Sequence, residues 1–278
     1  LLNYLTVVMG SNNQSSMKKK YSSYALAAFL VAGLFATPVF AATTLVTPTD
    51  TQGWSTSDTR LGGAVNYVTD ATSPYPDGAL QLTTDGTNEA KAQYLKGAAS
   101  DTTLASVTEL SYSAKQVEGP VHADASYQLL VDLNGAATGG FTTFVYEPYQ
   151  NGTVTPGVWQ QWDVDAGQMW SSRSFSEGAC TVISGAGGAP FYTLAGLQTS
   201  CPDAIVLGFG VNVGTYNSGY NVYVDGVTFN GDVYNFEVTA PVTQPTSSDQ
   251  CKKDGYKSFS NPTYKNQGQC VSAVKSNK

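Results

Sequence analysis

The 278-residue chain has few charged residues and few of the residues that stabilise exposed helix faces. Charged side chains make up 13% of it, against about 25% in an ordinary soluble domain. Because exposed helices favour Glu, Lys and Arg, a chain this poor in them is not mainly helical. Its 17 Tyr, 11 Phe and 28 Gly favour an all-β globular protein. The formal net charge of −7 argues against a nucleic-acid binder, which needs a basic surface.

Catalytic signatures are also scarce. The chain has one histidine, His122, and no G-x-S-x-G motif, so a serine or cysteine hydrolase with a histidine base is not expected. A glycosidase needs two carboxylates close together. Glu147 and Asp163 are the candidate catalytic pair, although a domain this rich in Asp and Glu offers such pairs readily. The sequence therefore favours a protein that is not an enzyme.

No apolar run reaches the roughly 20 residues that span a bilayer. Met17 is followed by three lysines, an apolar run from about Ala25 to Ala36, and small residues up to Ala41. This pattern is typical of a secretory signal peptide. We expect a secreted or cell-surface protein, cleaved near Ala41, that does not span the membrane. We also expect residues 1–16 to be an extension upstream of the natural start at Met17.

The four cysteines are Cys180, Cys201, Cys251 and Cys270. An even number in an exported protein predicts disulfides. Three pairings are open, and the two local pairs are favoured because they respect the domain boundary given below. With a single histidine and no C-x-x-C motif, a zinc site is the weaker alternative.

Charge divides the chain into two regions. Residues 42–248 hold five Lys and Arg against 19 Asp and Glu, whereas residues 249–278 hold six Lys against two Asp. A stretch rich in Pro, Thr and Ser separates them and has the composition of a linker. We therefore predict an extension and signal peptide at 1–41, a β domain at 42–238, a linker at 239–249, and a basic tail at 250–278.

The β domain consists of short segments rich in Val, Tyr, Phe and Thr between turn residues. Together these predict a two-sheet antiparallel sandwich of the jelly-roll or galactose-binding-like kind, with the disulfide-closed tail appended. One helix is expected, ending before Pro202. The clearest predicted strands are 90–96, 109–115, 125–133, 141–149, 205–213 and 221–229.

Three of the four tryptophans lie between residues 159 and 170, beside acids and an arginine. Aromatic faces stack on sugar rings, while Arg and Asp bind hydroxyls, so this cluster predicts a glycan site. Trp159 and Trp162 would face opposite sides of a strand, with Trp159 the better core candidate. The alternative is that these aromatics only fill the core. The predicted ligand-binding residues are Trp162, Trp170, Arg173, Tyr149 and Asp165.

No cofactor is expected, but an acidic sandwich has the oxygen ligands for a structural calcium ion. Asp225 and Glu237 are the candidate ligands. No contiguous calcium loop occurs, and the alternative is that the acids form a solvated surface.

The segments GWSTSDTR, GGFTTFVYEPY, WQQWDVDAG, PDAIVLGFGVN and YVDGVTFNGDVYNFE resemble a family of uncharacterised secreted bacterial proteins over about residues 52–237. The ending CKKDGYKSFSNPTYKNQGQCVS is similar to a short tail found on diverse exported bacterial proteins. These resemblances imply a cellular context and no activity. The predicted function is non-catalytic binding of glycan or cell-envelope polymer. The alternatives are an envelope-structural or adhesive protein without a small ligand, and a glycan-cleaving enzyme.

Overall fold

The structure, a computed structural model, describes residues 43–75, 77–120, 123–135, 137, 139–239, 244–259 and 262–276. The predicted signal peptide, its cleavage site and His122 lie outside the described residues. Among the described residues, no helix is long and apolar enough to cross a membrane.

The first sheet has β15 at its centre. One edge of β15 pairs with β4 and then β16, and the other pairs with β6, which in turn pairs with β9. All pairings are antiparallel except that of β1 with β16. The strands of this sheet are β1 (Thr43–Val46), β3 (Gly63–Thr69), β4 (Gly78–Thr84), β6 (Leu110–Glu118), β9 (Gln160–Asp163), β15 (Asn221–Phe229) and β16 (Asp232–Phe236).

The second sheet is antiparallel throughout, in the order β13-β10-β8-β7-β14-β5-β2. Its strands are β2 (Trp54–Ser55), β5 (Ala92–Gly97), β7 (Ser126–Asp132), β8 (Phe141–Tyr146), β10 (Met169–Ser171), β13 (Phe191–Tyr192) and β14 (Ile205–Val213). A separate hairpin joins β11 (Phe175–Glu177) to β12 (Cys180–Val182).

The inner faces of the two sheets share one hydrophobic core. Phe209 of the second sheet stacks on Phe229 of the first, with ring centroids 4.4 Å apart. Trp54 packs against Tyr94, Phe209 and Phe236. The predicted two-sheet antiparallel sandwich is therefore confirmed.

The helices are short: α1 (Pro148–Asn151), α2 (Leu194–Ser200) and α3 (Gln267–Ser276). The expected helix before Pro202 is α2, and Thr193 caps it by accepting a hydrogen bond from the Gly196 N–H. A disulfide joins Cys180 of β12 to Cys201 at the end of α2. The second disulfide joins Cys251 to Cys270, so both local pairs are present.

In the basic tail (residues 250–278), the Cys251–Cys270 disulfide packs with Phe259, Tyr264 and Val274 in a small cluster of its own. A 3-10 helix, Ser248–Cys251, begins inside the stretch that we predicted as linker. The domain boundary itself stays a prediction.

The structure reverses the expected positions of two tryptophans, Trp159 and Trp162, relative to the core. Trp162, a predicted ligand-binding residue, is only 7% exposed and belongs to the core, opposite Tyr112 of β6. Trp159 is half-buried and donates its indole N–H to Asp70. The two residues do lie on different sides of the sheet, but β9 begins at Gln160, and its register turns Trp162 inward.

Candidate functional site: a cleft on the outer face of the second sheet

A cleft with a volume of about 820 Å³ lies on the outer face of the second sheet. Outward-facing residues of β5, β7, β8, β10 and β14 form its floor. Loops at 58–60, 147–149, 186–187 and 214–217 form its rim. Because side chains alternate across a strand, this face is separate from the buried core face.

The floor carries three nearly buried amides, Gln93, Gln128 and Asn212. The Gln128 side chain makes no hydrogen bond to another described residue. Gln93 donates from Nε2 to the Ser57 carbonyl, while its Oε1 has no partner. Asn212 Oδ1 accepts from the Ser126 hydroxyl at 2.5 Å. Buried polar groups normally have partners, so the unpaired ones favour a polar ligand.

Aromatic side chains stand around these amides. Trp170 is half-buried in β10, where its neighbours across the strands are Val145 and Phe191. Tyr149 is 46% exposed and Tyr216 is 81% exposed, and both line the cleft. Tyr216 has φ of 67°, in the left-handed region that non-glycine residues rarely occupy. A strained backbone that holds an exposed aromatic ring at a cleft rim is typical of a functional site.

The rim loops are tied to one another. Gln150 of α1 donates from Nε2 to the Gly187 carbonyl at 2.8 Å, and the Tyr149 hydroxyl reaches the same oxygen at 3.5 Å. A Cβ on Gly185 would lie 2.9 Å from the Trp170 Cβ, so glycine lets this loop pack on the tryptophan. These contacts fix the aromatic side of the cleft before a ligand arrives.

Glu147 lies at the end of β8, inside the cleft. Burial raises the pKa of its carboxyl to about 7. The indole N–H of Trp170 has no hydrogen-bond partner of good geometry, and its nearness to this carboxyl lowers the pKa in part. Near neutral pH, Glu147 is therefore divided between its charged and neutral forms.

The cleft also holds Asp58, Arg60, Lys91 and Arg173. Asp58 pairs with Lys91 at 2.5 Å and lies 4.0 Å from Arg60. Arg173 is exposed, and its guanidinium stands 4.9 Å from the centre of the Phe141 ring. It has no carboxylate partner among the described residues.

The cleft brings together three of the five predicted ligand-binding residues: Trp170, Arg173 and Tyr149. Trp162 is in the core. Asp165 lines a different hollow, with Glu109 and Asp163, and its carboxylate accepts a hydrogen bond from the Leu110 N–H at 2.7 Å. Asp165 therefore fixes the start of β6.

The same geometry separates the candidate catalytic pair, Glu147 and Asp163. Glu147 lines the cleft, whereas Asp163 ends β9 in the first sheet and lines the second hollow. The described residues do not place this pair in one cavity, as a glycosidase would require.

Of the two candidate calcium ligands, Asp225 lies within β15 and Glu237 directly follows β16. Asp225 is fully buried: Oδ1 accepts from the Gly226 and Phe236 N–H groups, and Oδ2 accepts from the Ser73 hydroxyl at 2.6 Å. Burial raises the pKa of Asp225 and of Glu237 to about 7. In the described ranges, no group of three or more Asp, Glu, His and Cys could hold a metal ion. Calcium stays a hypothesis.

Sequence reasoning missed the amides of the floor, Gln93, Gln128 and Asn212, and the rim residue Tyr216. Each stands on a segment distant from the tryptophan cluster, so no local motif includes it. The sequence signal that could have found the three amides is a polar amide side chain at an outward-facing position of a strand that is otherwise mainly apolar.

Comparison with known proteins gives structural neighbours only. No protein-family model and no curated protein matches the chain. A family 11 carbohydrate-binding module from Clostridium thermocellum, solved with a β-1,3-1,4-mixed-linked tetrasaccharide, is 13% identical, with 66% of this chain and 91% of that one covered and a TM-score of 0.37. A xylan-binding domain from Paenibacillus barcinonensis is also 13% identical, with 64% and 91% covered and a TM-score of 0.36.

Proposed function

We propose that the protein is a non-catalytic glycan-binding module, exported to the cell surface or medium, whose site is the cleft on the second sheet. The observation that carries this proposal is a floor of buried amides beside an aromatic rim. Gln93 Oε1 is buried without a hydrogen-bond partner among the described residues, and the rim aromatics are Trp170, Tyr149 and Tyr216. Ligand sites combine aromatic walls with a few placed polar groups. Sugars offer both an apolar ring face and hydroxyls, so they match this lining.

The shape of the site favours a polymer over a small molecule. The cleft lies open on the sheet and is crossed by five strands, which at about 4.8 Å per spacing gives a width of roughly 19 Å. Glu147 is the acid in the cleft that lacks a cationic partner, whereas Asp58 is paired with Lys91. Among the described residues that line the cleft, Glu147 is therefore without the second free carboxylate that glycoside cleavage uses.

The test is a screen of the purified protein on an array of polysaccharides and cell-wall polymers, with and without Ca²⁺. The wild type is compared with Trp170→Ala and with the matched variant Trp159→Ala, which removes a half-buried tryptophan outside the cleft. We expect a hit that Trp170→Ala weakens at least tenfold, about 1.4 kcal/mol of binding free energy, and that Trp159→Ala retains.

Two results would contradict the proposal. If the protein binds none of the arrayed polymers, the structural or adhesive alternative is favoured, in which the cleft binds no glycan. Release of reducing sugar from a bound polymer, abolished by Glu147→Gln, would show that the module is an enzyme.

A further inference from the structure

The positive charges of the sandwich are concentrated in the cleft. Between residues 42 and 248, three of the five Lys and Arg line it: Arg60, Lys91 and Arg173. Of the 19 Asp and Glu in the same range, two line it. The remainder of this range carries two positive and 17 negative side chains. A uniformly acidic surface has no physical reason to collect its few cations in one hollow, and an uncharged glycan does not require them.

The positive side chains of the cleft lie in two separate groups, one beside β5 and one beside β10. Beside β5, the single carboxylate of Asp58 faces both Lys91 and Arg60, so one positive charge is left in excess. Beside β10, Arg173 has no carboxylate partner among the described residues and rests on the Phe141 ring. Strands β8, β7 and β14 lie between, so the two places are four strand spacings apart across the sheet, roughly 19 Å in that direction. They also lie toward opposite ends of the strands, since Arg173 is at Phe141 and Lys91 precedes β5.

A free guanidinium is suited to carboxylate, sulfate or phosphate oxygens, which it binds with two parallel hydrogen bonds. Arg173 offers such a free guanidinium, and the Arg60 and Lys91 side chains together offer one positive charge in excess of Asp58. Two positive positions separated across the cleft fit a polymer with repeated anionic groups better than they fit a single small anion. Even with Asp58 and Glu147 both charged, the cleft lining carries a net charge of +1, whereas the rest of residues 42–248 carries −15, so a polyanion is repelled less here than on the remainder of the sandwich.

We propose that the ligand of the cleft is an anionic polysaccharide, bound through Arg173 at one side and the Arg60–Lys91 pair at the other. This inference rests on the proposed glycan-binding function and names its substrate class. The shared chemistry is an anionic oxygen group on a sugar chain. Uronate, sulfate ester and phosphodiester are its three sources.

Binding is measured by titration calorimetry of the full chain with polymer pairs that differ in charge. Polygalacturonate is compared with its methyl ester, dextran sulfate with dextran, and phosphomannan with mannan. Arg173→Gln and Arg60→Gln test the two sides of the cleft. Lys115→Gln is the matched control, because Lys115 is a cation of the sandwich outside the cleft. Lys253→Gln controls for binding by the basic tail.

We expect the charged member of one pair to bind at least tenfold more tightly than its uncharged partner. Arg173→Gln and Arg60→Gln should each reduce that affinity about tenfold, while Lys115→Gln and Lys253→Gln retain it. The polymer pair that shows this difference in affinity identifies the anionic group as uronate, sulfate ester or phosphodiester.

Equal or tighter binding of the uncharged polymers would overturn the inference and leave the glycan-binding function standing. Charged binding that survives both arginine variants but falls with Lys253→Gln would place the site in the tail and overturn it as well. If none of the six polymers binds, and no polysaccharide on the array binds either, both proposals are wrong.

Discussion

Trp162 and Trp170 are eight residues apart in the chain but belong to different sheets and face different surroundings. Trp162 lies in β9 of the first sheet with its side chain in the core, whereas Trp170 lies in β10 of the second sheet and lines the cleft. The turn through Asp165 and Gly167 carries the chain from one sheet to the other. One aromatic-rich segment therefore contributes both to packing and to the candidate site.

This division predicts opposite phenotypes for two similar substitutions. Trp162→Ala should lower the free energy of unfolding by about 3–5 kcal/mol, because it removes a buried indole from a packed core. The folded fraction should bind glycan as the wild type does. Urea unfolding with a binding assay on the same sample checks both expectations. A stable Trp162→Ala variant that has lost binding would mean that the assignments of the two tryptophans are reversed.

Substitution of Tyr216 should change glycan affinity without changing the stability of the fold. Because its side chain is 81% exposed, Tyr216→Ala should change the free energy of unfolding by no more than about 0.5 kcal/mol. Affinity for the glycan should fall severalfold, since a rim aromatic is lost. Leu61→Ala is the matched control, because Leu61 is also highly exposed, at 96%, and lies outside the cleft lining. Equal affinity for all three proteins would exclude Tyr216 from the site.

Four buried carboxyls make stability depend on pH. Burial raises the pKa values of Asp124, Glu147, Asp225 and Glu237 to about 7, above their ordinary values near 4. Between about pH 4 and pH 7, the folded state therefore holds protons that the unfolded chain has released. Stability falls as pH rises through this window, and the loss is complete above pH 7. We expect a lower melting temperature at pH 8.0 than at pH 5.5.

Asp225→Asn tests one of these groups. One pKa unit corresponds to about 1.36 kcal/mol, so Asp225 should account for on the order of 2 kcal/mol of the difference between pH 5.5 and 8.0. An asparagine can still accept from the Gly226 and Phe236 N–H groups through Oδ1, and its NH2 group can donate to the Ser73 hydroxyl, all without a charge. The variant should therefore show a smaller difference. Asp101→Asn, at an exposed position, should leave it unchanged. A variant with the full wild-type difference would contradict this role for Asp225.

The two disulfides should support different regions. Removing Cys251–Cys270 by a double serine substitution removes about 3 kcal/mol of loop-closure stabilisation on the chain-entropy estimate. The tail has only its small cluster to replace that term, so it should become sensitive to protease while the sandwich keeps its melting temperature. Removing Cys180–Cys201 should lower the melting temperature of the sandwich. Loss of sandwich stability in the first variant would contradict an independent tail.

Much of the fold could be predicted because it depends on local signals. The segments predicted as strands at 205–213 and 221–229 are β14 and β15 with the same bounds. The helix before Pro202 follows from a threonine cap and an apolar face. The two local cysteine pairs, favoured among three possible pairings because they respect the predicted domain boundary, are the disulfides of the structure.

The site was less accessible to sequence reasoning because its residues come from strands distant in the chain. Gln93, Gln128 and Asn212 meet only because β5, β14 and β7 are neighbours in the sheet, and strand order is not written in any single segment. Trp162 was misassigned for a related reason. The face of the sheet on which the Trp162 side chain lies depends on where β9 begins. A register shift of one residue moves every side chain of a strand to the opposite face.

The most direct test of a glycan site in the cleft is an NMR titration that follows the four indole N–H signals, from Trp54, Trp159, Trp162 and Trp170. The glycan selected by the array is added to the protein, with Trp170→Phe used to assign the signal. We predict that the Trp170 signal shifts with saturation while the signals of the two core tryptophans, Trp54 and Trp162, stay in place. A shift confined to Trp159, or none at a glycan concentration that saturates binding, would contradict it.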